Sequence, residues 1–242
     1  MRASLFVTCL ADMFAPDVGV AMVRVLRAHG VELDFPRDQT CCGQPAFNSG
    51  AWGDARRVAR RMLDVFDGAE YVVSPSASCT AMVREQFPIL FADDPQLKER
   101  AVNLANRSYE FIEFLVRVLG VTEPDACFDG RLTYHYTCHQ RALGMTDEAE
   151  NLIRQLDGVT YVPLERKDQC CGFGGVFAVK QPDVSGAMVN DKVDCILQTG
   201  ADAVVVNDTG CIMNIAGALK RRNLPVRVIH LASILAGEVT RP

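Results

Sequence analysis

Short apolar runs rich in β-branched residues alternate with longer amphipathic segments along the chain. Residues 5–7 form the first run, and from 17 to 29 apolar side chains recur at the spacing of one helix face. Gly30 is a helix-ending residue, and residues 31–35 then predict a strand. This alternation predicts βαβ units and a mostly parallel sheet.

The same pattern continues through the rest of the chain. Gly68, Gly158 and Gly200 each precede a predicted strand in the way that Gly30 does. The strands predicted beyond residue 35 are 71–73, 132–136, 159–164 and 203–206. The chain therefore predicts an α/β protein with several parallel strands.

The cysteines indicate an internal duplication. Eight of the ten fall into two sets of four with nearly the same spacing: Cys9, Cys41, Cys42 and Cys79, then Cys138, Cys170, Cys171 and Cys211. In both sets 32 positions separate the first cysteine from the adjacent pair, and 37 or 40 positions separate the pair from the last one. Cysteines placed by packing alone would have no reason to repeat in this way.

The stretches around the cysteines align as well. Residues 31–43 lie over 160–172, and 69–79 lie over 201–211, both without a gap. A period of this length is too long for a solenoid repeat and fits a duplicated domain. We expect two tandem, duplicated Rossmann-like βαβ domains with mostly parallel sheets, at residues 1–122 and 131–242, joined by a linker at 122–130 that contains Cys127.

Every cysteine of the two sets follows a predicted strand. In an open parallel sheet, ligands bind beyond the carboxyl ends of the strands. Thiols that are distant in sequence therefore converge there, and each set of four is predicted to form one site.

Four thiolates bind either a zinc ion or an iron–sulfur cluster. Structural zinc sites usually take ligand pairs separated by two to four residues, and neither set has such a pair. Adjacent cysteines are awkward ligands for one tetrahedral ion, whereas a cluster offers several iron atoms. After each pair, Gly43 and Gly172 allow a sharp turn that brings backbone N–H groups near sulfur. The spacing favours iron–sulfur clusters.

Composition and charge indicate the class of protein and the compartment in which we expect it. The 242 residues are 49% hydrophobic and 23% charged with a net charge of −5, as in an ordinary globular protein. Basic residues within 56–61 and 220–222 lie at helical spacing and indicate solvated helix faces rather than a nucleic-acid surface. No apolar stretch predicts a membrane span, and we see no export signal, so we expect a cytoplasmic protein with reduced thiols.

Three segments carry a family resemblance: residues 8–13, 40–50 and 170–175. They resemble the CCG cysteine-rich domain family, found in heterodisulfide reductases and in iron–sulfur subunits of glycolate and glycerol-3-phosphate dehydrogenases. The resemblance covers nearly the whole chain. It implies two iron–sulfur clusters of the [4Fe-4S] type on the eight cysteines. It also implies an electron-transfer subunit that oxidises L-lactate to pyruvate with two companion subunits, one carrying ferredoxin-type cysteines.

The sequence departs from the wider family at one position of each site. There the motif ends in two cysteines separated by two residues, and here Ser76 and Asp208 replace the first of them. Four thiolates still satisfy a cubane cluster. Asp208 is either an oxygen ligand or a helix N-cap ahead of Cys211.

Two other functions stay open. One is a catalytic subunit, like that of heterodisulfide reductase, with an open iron coordination position near Ser76 or Asp208. The other is a scaffold protein with zinc in both sites. No flavin motif and no acid–base constellation for a substrate proton is visible in the sequence.

The remaining candidates have weaker signals. His139 follows Cys138 and is either a donor to a cluster sulfur or a packing residue. His135 and His230 end strands and are interpreted as structural. Cys195 and Trp52 are predicted to be a core cysteine and a core or interface aromatic, respectively.

Overall fold

The computed structural model describes residues 1–241 and contains two four-stranded sheets. The first comprises β1 (Arg2–Leu5), β2 (Glu32–Asp34), β3 (Tyr71–Ser74) and β4 (Ser108–Glu110). The second comprises β5 (Cys127–His135), β6 (Asp157–Tyr161), β7 (Ala203–Val206) and β8 (Arg227–Ile229). All strand pairs are parallel, which confirms the predicted α/β class with duplicated βαβ units.

The two sheets have the same topology. The strand orders are β2-β1-β3-β4 and β6-β5-β7-β8, so in each sheet the first strand pairs with the second and the third. Leu5 is opposite Val73 in the first sheet, and His135 is opposite Val206 in the second. This register brings the carboxyl ends of the two central strands together in each half.

Helices connect the strands, as parallel neighbours require. In the first half they are α1 (Cys9–Phe14), α2 (Pro16–Ala28), α3 (Gln44–Asn48), α4 (Trp52–Val65), α5 (Ala77–Ala81), α6 (Phe87–Leu90), α7 (Pro95–Asn106) and α8 (Phe111–Glu113), with π-helical turns at Met82–Gln86 and Phe114–Val118. In the second half they are α9 (Cys138–Ala142), α10 (Glu148–Arg154), α11 (Val176–Lys180), α12 (Pro182–Gln198), α13 (Thr209–Arg221) and α14 (Leu231–Leu235). Within residues 1–241, none of these helices has the length and apolarity that crossing a bilayer demands.

One apolar core is shared by the two halves. It takes alternate strand residues from both sheets: Leu5, Val73, Leu132 and Val205. The strand neighbours Val72 and Val204 point the other way, into a separate core for each half. This is the two-residue alternation of a strand buried on both faces. Each sheet therefore lies between its own core and the common one.

Several predicted boundaries need correction. Cys127 opens β5 instead of lying in a linker, because Cys127 pairs with Asp157 across the second sheet. Gly158 lies inside β6, and the preceding helix ends earlier, at Arg154. The strand β4 was not predicted, since its three residues are too few to show alternation. The exact domain boundaries stay a prediction.

Candidate metal centres

The eight repeated cysteines lie in the segments that follow strands, half of them at helix N-termini. Cys9 opens α1 and Cys138 opens α9, each shortly after the first strand of its sheet. Cys79 and Cys211 lie in the first turns of α5 and α13, after the third strands. The fold therefore places these four sulfurs at the starts of helices, close to the ends of the central strands.

The first set converges on one place. The Sγ atoms of Cys9 and Cys41 are 3.6 Å apart, and those of Cys42 and Cys79 are 3.2 Å apart. Cys41 and Cys42 are adjacent in the chain and therefore join the two pairs into one group. The sequence placed these four residues in one site, and the structure brings them together.

The second set converges in the same way. The Sγ atoms of Cys171 and Cys211 are 2.8 Å apart, and Cys138 and Cys171 lie near enough to Cys170 to lower the pKa of its thiol. All ten cysteines of the chain lie within the described residues and are free thiols. The two sets are thus separate clusters of four unbridged sulfur atoms.

Each set distributes its protons unequally. Hydrogen bonding to Cys42, and then to Cys9, lowers the pKa of the half-buried Cys41 thiol. The pKa of Cys42 is raised instead, by hydrogen bonding to Cys41 and Cys79 and by burial. Cys170 has its pKa lowered by Cys138 and Cys171. One sulfur of each set is therefore the preferred site of negative charge. It is the central member of the hydrogen-bonded group.

The glycine after each cysteine pair forms the predicted turn. Gly43 and Gly172 have φ of +83° and +79°, a left-handed conformation that glycine adopts without strain. Their N–H groups donate to Cys41 Sγ at 3.4 Å and to Cys170 Sγ at 3.3 Å. Four sulfur donors with a backbone N–H directed at one of them fit a thiolate-bound metal group.

The two sets are neighbours across the boundary between the halves. Ser76 Oγ donates to Asp208 Oδ2 at 2.9 Å, and the Ser78 backbone N–H donates to the same oxygen at 3.0 Å. The other oxygen, Oδ1, accepts from the Gly210 N–H at 3.0 Å and caps α13. Asp208 is therefore the N-cap, and both of its oxygens are already hydrogen-bonded.

A second contact connects the same regions. Gln44 Nε2 donates to the Ser78 carbonyl at 3.3 Å and lies 3.2 Å from His139 Nε2. The other ring nitrogen of His139 lies 3.5 Å from Cys138 Sγ, and the choice between a donor and a packing histidine stays a prediction. Residues beside one set of cysteines are thus in direct contact with residues beside the other.

His135 is the site residue that the sequence interpretation missed. Its ring lies with Cys171 and Cys211 in a buried group whose ligand atoms are all within 4.8 Å of one another. Burial, reinforced by the positive charge of Lys192, lowers the pKa of His135 to about 3, so the imidazole is neutral. Its position three residues before Cys138, at the end of a strand, was the available signal.

The other candidates have structural surroundings. Cys195 is buried in α12, as predicted, where its sulfur accepts a hydrogen bond from Arg166 at 2.9 Å. Trp52 is not a core residue: its side chain is 53% exposed and stacks on Phe47 with ring centroids 5.5 Å apart. Cys127 is exposed and belongs to neither set.

Comparison with known proteins agrees with this duplicated architecture. The cysteine-rich CCG domain family matches residues 3–84 and 132–216. Lactate utilization protein A of Bacillus licheniformis is 48% identical over 236 residues, covering 97% of this chain and 99% of that protein. Lactate utilization protein A of Bacillus subtilis (strain 168) is 47% identical with the same coverage.

The fold is also similar to that of a solved structure. A hypothetical protein from Helicobacter pylori superposes with a TM-score of 0.67 at 9% identity, covering 97% of this chain and 48% of that one. The chain thus spans about half the length of that protein, and the likeness concerns the fold alone. The family match and the near full-length relatives are specific in sequence, and by them the chain belongs to the cysteine-rich CCG family, alongside the lactate utilization A proteins.

Proposed function

We propose that the chain is the iron–sulfur electron-transfer subunit of a system that oxidises L-lactate to pyruvate. One cluster, of the [4Fe-4S] type, would be bound in each half: by Cys9, Cys41, Cys42 and Cys79 within residues 1–122, and by Cys138, Cys170, Cys171 and Cys211 within 131–242. The site of action would be the cytoplasm, where thiols stay reduced and available as ligands.

The observation that carries this proposal is the pair of adjoining four-sulfur sites. Neighbouring sulfurs within a site lie 2.8 to 3.6 Å apart, and the four thiols have no disulfide partner among the described residues. Such crowding of thiols is explained by a metal group that replaces their protons. When bound, an iron–sulfur cluster supplies one-electron redox chemistry.

The chain's own residues would control the surroundings of each cluster. Cys42, Cys79, Cys171 and Cys211 are buried, so half of the proposed ligands are shielded from water. Cys9, Cys41, Cys138 and Cys170 are partly exposed and provide the side from which a redox partner is reached. The common apolar core holds the two halves together, and the direct contact between Ser76 and Asp208 lies beside both sites, as a relay requires.

The lactate assignment comes from the relatives. Proteins 47–49% identical over nearly the full length are named lactate utilization protein A. We infer that this chain serves the same use of lactate with companion subunits, one of them a ferredoxin-type iron–sulfur protein. We place substrate oxidation on a companion subunit and electron transfer on this chain.

Zinc is the second candidate, and one observation favours it. His135 lies with Cys171 and Cys211 in a mixed nitrogen and sulfur group, which is a donor set that zinc accepts. A catalytic disulfide reductase is less well supported, because both oxygens of Asp208 are hydrogen-bonded to protein groups.

Anaerobic purification followed by metal analysis tests the cofactor. Two cubane clusters predict about eight iron and about eight acid-labile sulfide per chain. Stoichiometric zinc without sulfide would exclude the electron-transfer role.

A gene deletion tests the pathway. We expect the deleted strain to lose growth on L-lactate and keep growth on glucose, in a background without other lactate dehydrogenases. Restoration by the wild-type gene but not by a Cys41→Ser copy would connect the growth to the first site. Normal growth of the deletion strain on lactate would contradict the assignment.

A further inference from the structure

The two halves place different side chains at one equivalent position. Phe6 lies three residues before Cys9, and His135 lies three residues before Cys138. Both side chains are 1% exposed. Phe6 packs in the apolar core of the first half together with Cys42 and Cys79. The duplication has therefore put a phenyl ring beside one site and an imidazole beside the other.

His135 has the surroundings of a group that awaits a partner. One of its ring nitrogens lies within 4.8 Å of the sulfurs of Cys171 and Cys211. Neither ring nitrogen makes a hydrogen bond of ordinary geometry among residues 1–241, although the backbone of Lys167 is near enough to act on the ring. An unpaired buried donor is costly, and such groups in native proteins normally face an acceptor. Within the described chain, the ligand-type atoms grouped with this ring are the two sulfurs.

We propose that the N–H of His135 donates a hydrogen bond to a sulfur of the second metal centre and raises its reduction potential above that of the first. This inference rests on the proposed function, since it concerns a cluster held by Cys138, Cys170, Cys171 and Cys211.

The physical reason is charge. Reduction adds one negative charge to the centre, and a donor directed at its sulfur stabilises the reduced form more than the oxidised form. Phe6 offers no donor at the matching position of the first site. The two centres therefore differ in potential although their thiolate sets are alike, and an electron shared between them would reside mainly on the second.

Donation fits the site better than ligation by the imidazole. Four thiolates already satisfy the four irons of a cubane cluster, so His135 is an additional group. A neutral imidazole carries one N–H whichever tautomer it adopts. The polar side chain thus complements the sulfur ligands instead of replacing one of them.

Reciprocal exchange of the two residues tests the proposal. His135→Phe gives the second site the neighbour of the first, and Phe6→His does the reverse. We expect H135F to lower one of the two midpoint potentials in a dithionite titration followed by EPR and to leave the other unchanged. If the ratio of reduced to oxidised centre at a fixed potential falls tenfold, the midpoint potential of that centre has fallen by about 59 mV. F6H should raise the potential that H135F left alone.

Three controls separate a hydrogen bond from a packing effect. Iron and sulfide content of H135F should stay at the wild-type value, because no thiolate is lost. Proton ENDOR on the reduced wild type should show an exchangeable coupling at one centre that H135F removes. His135→Asn and His135→Gln place an amide N–H near the positions of Nδ1 and Nε2, and we expect one of them to keep the wild-type potential.

The outcomes are distinct. Two unchanged potentials in an iron-loaded H135F would overturn this inference and leave the proposed function standing. A strong nitrogen coupling at one centre, showing direct ligation, would also overturn it. Wild-type protein that holds zinc and no sulfide would overturn both. If H135F fails to retain iron, the amide variants and F6H decide the question. Lowered potentials in both amide variants, together with unchanged midpoint potentials in F6H, would count against the hydrogen bond.

Discussion

The two halves of the molecule share a strand order and a set of four thiols but differ in what surrounds the thiols. Phe6 stands beside the first set where His135 stands beside the second, and Ser76 stands where the other half has Asp208. Positions that supply sulfur or turn the backbone have been kept in both halves. Positions that set charge and hydrogen bonding have diverged, so two like sites acquire unlike environments.

The fourth strands show the same divergence. Glu110 and His230 each lie at the end of the fourth strand of a sheet, are buried, and cap the next helix. Burial raises the pKa of Glu110 to about 8 and lowers that of His230 to about 4. Both side chains are thus mainly uncharged at neutral pH, but from opposite starting charges.

Loss of a ligand should have the largest effect and test whether the halves are separate. Cys41→Ser and Cys170→Ser are each expected to remove about half of the iron, because each leaves the other set of four intact. Iron and sulfide analysis with EPR measures this. Cys127→Ser, at an exposed cysteine outside both sets, is the matched control and should retain all the iron. Complete loss of iron from one folded variant would mean that the sets share a single site.

The glycines after the cysteine pairs should differ in tolerance. A Cβ on Gly172 would lie 2.8 Å from the Ser185 carbonyl oxygen, whereas the nearest contact on Gly43 would be 3.4 Å, to Val58. Gly43→Ala is expected to cost about 1–2 kcal/mol for its left-handed φ. Gly172→Ala should cost a further ~1–3 kcal/mol for the clash. Thermal or urea unfolding of the two variants checks the order, and equal losses would contradict it.

Asp208 accepts two hydrogen bonds from the first half, and their contribution to stability is measurable. Asp208→Ala removes the α13 cap, about 0.5–2 kcal/mol, and leaves the Ser76 hydroxyl and Ser78 N–H without their acceptor, about 1–3 kcal/mol. Ser76→Ala removes one of these bonds and should cost about 1 kcal/mol. Asp208→Asn keeps a capping oxygen and should fall between them. Unfolding curves that rank S76A below D208A in stability would refute this assignment.

Stability should also depend on pH, with opposite sign in the two halves. Between about pH 4.5 and 8 the unfolded chain ionises Glu110 while the folded chain keeps its proton, so stability falls as pH rises. Between about pH 4 and 6.5 the unfolded chain protonates His230 while the folded chain does not, so stability falls as pH drops.

Two substitutions isolate these contributions. Glu110→Gln should remove the loss at higher pH, by a slope of up to about 1.4 kcal/mol per pH unit. His230→Asn should reduce the slope at lower pH by a similar amount and leave the part that comes from His135, whose pKa burial also lowers. The measurement is the free energy of unfolding from pH 4 to 9. A wild-type slope that neither variant changes would show that other groups control the pH dependence.

The sequence predicted the fold wherever local patterns carried the information. Strand β7 and helix α2 were located to within a residue or so, because apolar runs and a neighbouring glycine mark them. Strand β4 escaped, since three residues cannot display a period. Gly158 was predicted to end a helix because the sequence does not distinguish a glycine after a helix from a left-handed glycine inside an edge strand.

The site was predictable as a set of thiols and unpredictable in its surroundings. Spacing alone sorted the eight cysteines into the groups that the structure brings together. The bond between Ser76 and Asp208 joins residues 132 positions apart and depends on how the halves pack. The placement of His135 against two buried sulfurs depends on strand register in the same way.

The common core has a consequence for how the molecule is made. Leu5 and Val73 are buried in the same core as Leu132 and Val205, so either half alone would expose an apolar surface to water. During translation, the first half leaves the ribosome before the second half is present to cover this surface. The common core is complete only when the whole polypeptide has been made. A single ancestral domain would have needed to dimerise to bury the same surface.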